Sequence, residues 1–161
     1  MREGDHMKKL VSLIVVIALS AITLAACSKE QTKTFEGDVN GKQIITSLTY
    51  KGDEVLKQST IGTLKYDDLG IDKDQAKDML KKDEKAFKGD KGVSFKIDYK
   101  DDKAVEHIDI DYEKADIDQL KKKLGFVSVK GKNNKVSLDK TVSQMKRNGL
   151  KEKSNMTDHD D

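Results

Sequence analysis

From Gln43 to Tyr50 the chain alternates, and Ile44, Thr46, Leu48 and Tyr50 fall on one side. Successive strand residues point to opposite faces, so this spacing predicts a strand with one face on a core. Asn40-Gly41 precedes it, the pair that a type I′ turn needs because both central residues take positive φ. The turn joins this strand to another over Thr32–Val39. Gly52-Asp53 marks the next reversal, and a third strand follows from Glu54 to Tyr66, bent at Gly62. These three form an antiparallel meander.

The period then lengthens. Ala76, Met79, Leu80, Ala86 and Phe87 mark one stripe of a helix that starts at the N-cap Asp72 and runs to Lys88, ending near Gly89. Alternation returns in a second hairpin. Val93, Phe95, Ile97 and Tyr99 interleave with Ser94, Lys96, Asp98 and Lys100, and Asp101-Asp102 makes the turn. The return strand sets Ile108, Ile110 and Tyr112 on one face against His107, Asp109 and Asp111 on the other. Asp116 to Leu124 reads as a short helix with Ile117, Leu120 and Leu124 on one side, closed by Gly125. Phe126 to Val129 reads as a brief extended segment and Asn133-Asn134 as a loop. Leu138, Val142 and Met145 mark a last helix stopped by Asn148-Gly149.

The expected fold is one small α+β domain: an antiparallel sheet of about five strands with two to three helices. The helix from Asp72 should cover one face, with the C-terminal helices at an edge or end. Phe35, Ile44, Leu48, Tyr50, Leu80, Phe87, Phe95, Ile97, Ile108, Ile110 and Val142 should be buried, with His107 outward and Ile108 inward.

The N-terminus has no such periodicity. Lys8 and Lys9 precede an apolar run from Leu10 to Leu24, broken only by Ser12, Ser20 and Thr23. As a helix the run would span roughly 22 Å, short of the ~30 Å hydrocarbon core of a bilayer, so it reads as a cleaved signal peptide. Leu24-Ala25-Ala26-Cys27 resembles the bacterial lipobox. The resemblance implies cleavage before Cys27, a diacylglycerol thioether on its sulfur and, in many bacteria, an acyl chain such as palmitate on its new amino group. Two or more chains anchor stably where one is marginal. The expected organisation is therefore a signal peptide over 1–26, a lipidated Cys27 and short tether over 27–34, the domain over 35–150 and a charged, disordered tail over 151–161. The polar stretch Ser28–Thr34 would reach about 20–25 Å from the membrane.

Charge and composition narrow the function. Thirty-one Lys and Arg against 29 Asp and Glu leave a net charge of +2, without the basic footprint of a nucleic-acid binder. A single cysteine excludes an intramolecular disulfide framework and a Cys-rich zinc site. With no Trp, four Tyr and four Phe, an aromatic platform for sugars is not expected. His107, Asp109 and Asp111 are metal-ligand types on one strand face, but the outer two lie roughly 13 Å apart, too far for one ion. They read as a solvent-facing charge ladder. Asp158, His159, Asp160 and Asp161 read as a solvated end, and Lys121-Lys122-Lys123 as the outer face of a helix. No nucleophile elbow, phosphate loop, dinucleotide glycine pattern or helical zinc motif occurs, so neither cofactor nor metal is expected.

The order of pieces carries a family resemblance. The lipobox leads to Thr34-Phe35-Glu36, Asn40-Gly41, Leu48-Thr49-Tyr50-Lys51-Gly52-Asp53 and Val55-Leu56-Lys57-Gln58, then to the strand Val105–Tyr112 and the closing Asn148-Gly149-Leu150. This series resembles the YehR-like lipoproteins over nearly all of residues 27–151. The resemblance implies a compact α+β domain, lipid-anchored outside the cytoplasm, with no catalytic residues to carry over. The expected function is a monomeric, non-catalytic binding module of the cell envelope, held to the membrane through Cys27. Its partner would be a protein, a small solute or an envelope polymer. An envelope enzyme using His107 and a purely structural component are the competing readings. Lysine richness without proline points to a Gram-positive envelope, while Ser28 leaves an outer-membrane position open.

Overall fold

The computed structural model describes residues 29–124, 129–130 and 134–154. The elements are β1 (Gln31–Val39), β2 (Lys42–Lys51), β3 (Glu54–Lys65), α1 (Tyr66–Leu69), α2 (Lys73–Phe87), β4 (Val93–Tyr99), β5 (Lys103–Asp111), α3 (Ile117–Leu124), β6 (Val129–Lys130), β7 (Lys135–Ser137), α4 (Leu138–Arg147) and β8 (Lys151–Lys153). The strands share one antiparallel sheet in the order β4-β5-β3-β2-β1-β8, with β7 beside the start of β3 and β6 beside β7. The α+β expectation holds.

Register decides which side is core. Phe35, Thr46, Thr60, Ile108 and Phe95 face one another in a row across β1, β2, β3, β5 and β4, so all five share a face. Phe35, Leu48 and Ile110 pack there with Leu120 of α3 and Met145 of α4. Leu64, Ala104 and Ile97 pack there with Ala76 and Leu80 of α2. The opposite face is open, and its paired Ile45 and Ile61 are 44% and 40% exposed. Ile108 points inward and His107 outward, as the alternation requires. Ile44, Tyr50, Phe95, Ile108 and Val142 are half-buried rather than buried.

Local chemistry explains the helix ends. The Asp72 carboxylate accepts from Gln75 N at 2.8 Å and Gln75 Oε1 accepts from Asp72 N at 2.9 Å, a reciprocal capping box at the start of α2. Asp53, in the β2–β3 turn, accepts from Asp139 N at 2.9 Å and from Ser137 Oγ at 3.0 Å, which fastens the start of α4 to the meander.

Several expectations change. Tyr66 ends the third strand by beginning α1, so the strand stops at Lys65. The β2–β3 ladder runs unbroken through Gly62, and its irregularity falls at Leu56, an extra residue that turns Val55 inward opposite Tyr50. Met79 is exposed, because the stripe of α2 that meets the sheet runs through Ala76, Leu80 and Phe87. The tether is shorter than expected, since β1 begins at Gln31. The charged tail is not disordered from its start: Lys151–Lys153 pairs with Thr34–Glu36 as β8. Salt bridges Lys33–Glu152 at 3.1 Å and Lys153–Glu36 at 3.2 Å flank that pairing, and the Glu152 carboxylate holds the Lys33 ammonium above its ordinary pKa. Residues 1–28, including Cys27, the segment Phe126–Ser128, Asn133 and the tail acids Asp158, Asp160 and Asp161 with His159 lie outside the described residues.

Candidate functional site

The core face carries a polar strip between its two apolar clusters. Thr46, Gln58 and Glu106 are 2%, 3% and 4% exposed. Buried polar groups are stable only when paired, and most of this strip is. Thr46 and Thr60 share a hydroxyl hydrogen bond of 2.8 Å. Gln58 Nε2 donates to Thr60 Oγ1 at 3.1 Å and to Thr46 Oγ1 at 3.3 Å, and its Oε1 accepts from the Tyr112 hydroxyl at 2.7 Å.

Glu106 departs from that pattern. Its Oε2 accepts from Lys42 Nζ at 2.5 Å, across Gly62 on the intervening strand. A Cβ at Gly62 would stand 3.1 Å from both Glu106 Oε2 and Lys42 Cδ, so the glycine gives the pair its room. Glu106 Oε1 is buried with no hydrogen-bond partner. Both residues line a cavity of about 130 Å³, together with Ile44, Ile108 and Ile110 and with Gln58 and Thr60. The arrangement presents an anionic acceptor without a donor, a lysine with two further N–H groups, and a branched aliphatic wall.

Tyr112 closes the strip's inner end. Burial pushes its phenol above the ordinary value of 10.0. The unfolded chain therefore releases this proton at lower pH than the folded one, so the contribution is whole below about pH 10 and is lost as pH rises above it. Tyr112→Phe should be about 1 kcal/mol less stable at neutral pH for want of the bond to Gln58. Its urea midpoint should then fall less steeply than that of the parent above about pH 10. Equal slopes in the two proteins would show that Tyr112 is not responsible.

The titratable residues singled out by the alternation lie on the other face. His107 Nε2 sits 3.5 Å from Asp98 Oδ2, and Lys96 beside Asp98 holds that carboxyl below its usual range. Ser59 donates to Asp109 at 2.6 Å, and Lys114 pairs with Asp111 at 2.6 Å and lowers its pKa. These contacts make the ladder, although Asp111 pairs within its own turn rather than across strands. Among the described residues, no three metal-ligand types stand together. Lys123 is drawn to Asp90, to the Ala86 carbonyl and over the Phe87 ring, while Lys121 and Lys122 stay exposed. A wider cleft of about 800 Å³ lies between Tyr112–Leu120 and Asn134–Val136, beside chain neighbours of the undescribed 131–133.

Sequence reasoning passed over Glu106 although a signal existed. It has the same parity as Ile108 and Ile110, which puts a charge on the core side of its strand.

A single antiparallel sheet with its helices packed on one face defines a small α+β domain. The chain belongs to the family described as protein of unknown function (DUF1307), matched over residues 31–151. An uncharacterized lipoprotein of Listeria innocua is 35% identical over 147 residues, covering 91% of this chain and 96% of that protein. The uncharacterized lipoprotein YehR of Escherichia coli is 35% identical over 147 residues, 89% of this chain and 95% of that one. The NMR structure of the E. coli YehR protein superposes with a TM-score of 0.67 at 31% identity, covering 82% of this chain and 99% of that chain. An NMR structure of a protein from Streptococcus pneumoniae, 18% identical with a TM-score of 0.51 over 78% of this chain and 86% of that one, shares the fold. The resemblance to YehR-like lipoproteins is thus confirmed. The relatives' names imply that this chain too is a lipoprotein, anchored through lipid to a membrane outside the cytoplasm.

Proposed function

We propose that the protein is a monomeric, non-catalytic binding module of the cell envelope, and that its ligand is a small solute held in the Lys42–Glu106 cavity. The carrying observation is Glu106 Oε1, a buried carboxylate oxygen with no hydrogen-bond partner on a residue that lines the cavity. Such an oxygen is costly unless a donor meets it, and a solute bearing one would be bound in preference to none. Titrating the mature lipoprotein in detergent micelles with small polar solutes, followed by amide NMR shifts, tests this. Saturable shifts at Ile44, Gly62 and Ile108 are expected. Shifts confined to the open face, or none, would refute it, and turnover of an envelope substrate abolished by His107→Ala would establish the enzyme reading instead.

The anchor is Cys27, the only thiol, which stands at the end of the lipobox. Cys27→Ala should abolish incorporation of a fatty-acid analogue and leave a form without this lipid anchor. Incorporation that survives the substitution would end the assignment. The proline-free, lysine-rich chain fits the outer side of a Gram-positive cytoplasmic membrane.

A further inference from the structure

The cavity's chemistry narrows the solute. Resting on the binding-site reading above, we infer that it takes a zwitterionic amino acid with a small aliphatic side chain. Glu106 Oε1 asks for a donor, and a charged ammonium is the strong one. Lys42 uses one N–H on Glu106 Oε2 at 2.5 Å and keeps two to offer an acceptor such as a carboxylate.

Charge balance decides between a zwitterion and its halves. Lys42 and Glu106 cancel each other, so a bare amine or a bare carboxylate would bring an uncompensated charge into a poorly solvated space. A zwitterion brings both charges, and each meets its opposite. The rest of the strip makes no competing demand. Gln58 has both amide N–H groups on Thr46 and Thr60 and its carbonyl on Tyr112.

Size and wall set the side chain. A cavity of about 130 Å³ favours a small solute over a sugar or a peptide. Ile44, Ile108 and Ile110 leave no donor or acceptor to receive a polar side chain, so a methyl or short branched group fits their side of the cavity.

The test is an NMR titration of the mature lipoprotein in micelles with six probes: glycine, L-alanine, D-alanine, ethylamine, propionate and propionamide. Saturable shifts at Ile44, Gly62 and Ile108 with at least one alanine enantiomer are expected, with ethylamine and propionate each at least about tenfold weaker. Glu106→Gln, which keeps the shape and removes the charge, should weaken alanine by about tenfold or more. If propionamide binds as well as alanine, the zwitterion inference is wrong while the binding site stands. If no probe produces Glu106-dependent shifts up to about 10 mM, a range that reaches millimolar affinities, this inference fails. A wider solute set that also fails takes the binding site with it.

Discussion

Lys42→Met should lower the stability of the domain by about 3 kcal/mol, measured as the urea midpoint at pH 7. The methionine keeps the length of the stem over Gly62 and removes only the ammonium. Glu106, 4% exposed, would then carry a carboxylate with neither oxygen paired. Breaking a buried pair from one side leaves that charge stranded, which is why the loss exceeds the net worth of the bond. The low end of the range applies because a quarter of the Lys42 side chain is open to solvent (25%). Adding Glu106→Leu to Lys42→Met should restore most of the loss, since two apolar groups need no partners. A loss below about 1 kcal/mol in the single variant would mean that the pair behaves like a surface ion pair.

Phe35→Ala should cost more, about 4 kcal/mol. Phe35 is 0% exposed and is among the largest fully buried side chains. It sits in β1 between Thr46 of β2 and Glu152 of β8, in the cluster that also holds Leu48 and Met145. Removing the ring takes away its transfer free energy and leaves a void, because strands paired on both sides cannot close over it. The urea midpoint should fall with an unchanged slope. A loss under about 2 kcal/mol would show that the sheet collapses around the gap.

The two long hairpins and α2 were legible because local signals agreed: a period of two between turn residues, and an N-cap residue at Asp72. The short elements were not. Lys151-Glu152-Lys153 contains no apolar residue, and its pairing follows from the edge of β1 and from Lys33 and Glu36 lying across from it. The inward turn of Val55 needs the extra residue Leu56, which no periodicity announces. The candidate site was half legible. Thr46 was placed on the core side by its alternation, but the union of Lys42 with Glu106 spans three strands and an intervening glycine.

The position of β1 has a mechanical consequence. Four peptide steps separate Cys27 from Gln31, so a lipid on that cysteine would join the first strand through at most about 14 Å of chain. β1 runs along β2 over its whole length from Gln31 to Val39, and along β8 on its other side. A pull along that strand would meet ladder bonds that lie across it. The bonds are therefore loaded together in shear instead of opening one after another. A domain so moored would withstand a pull along β1 better than the same sheet pulled from β4, whose bonds to β5 are its sole strand pairing among the described residues and can be peeled in turn.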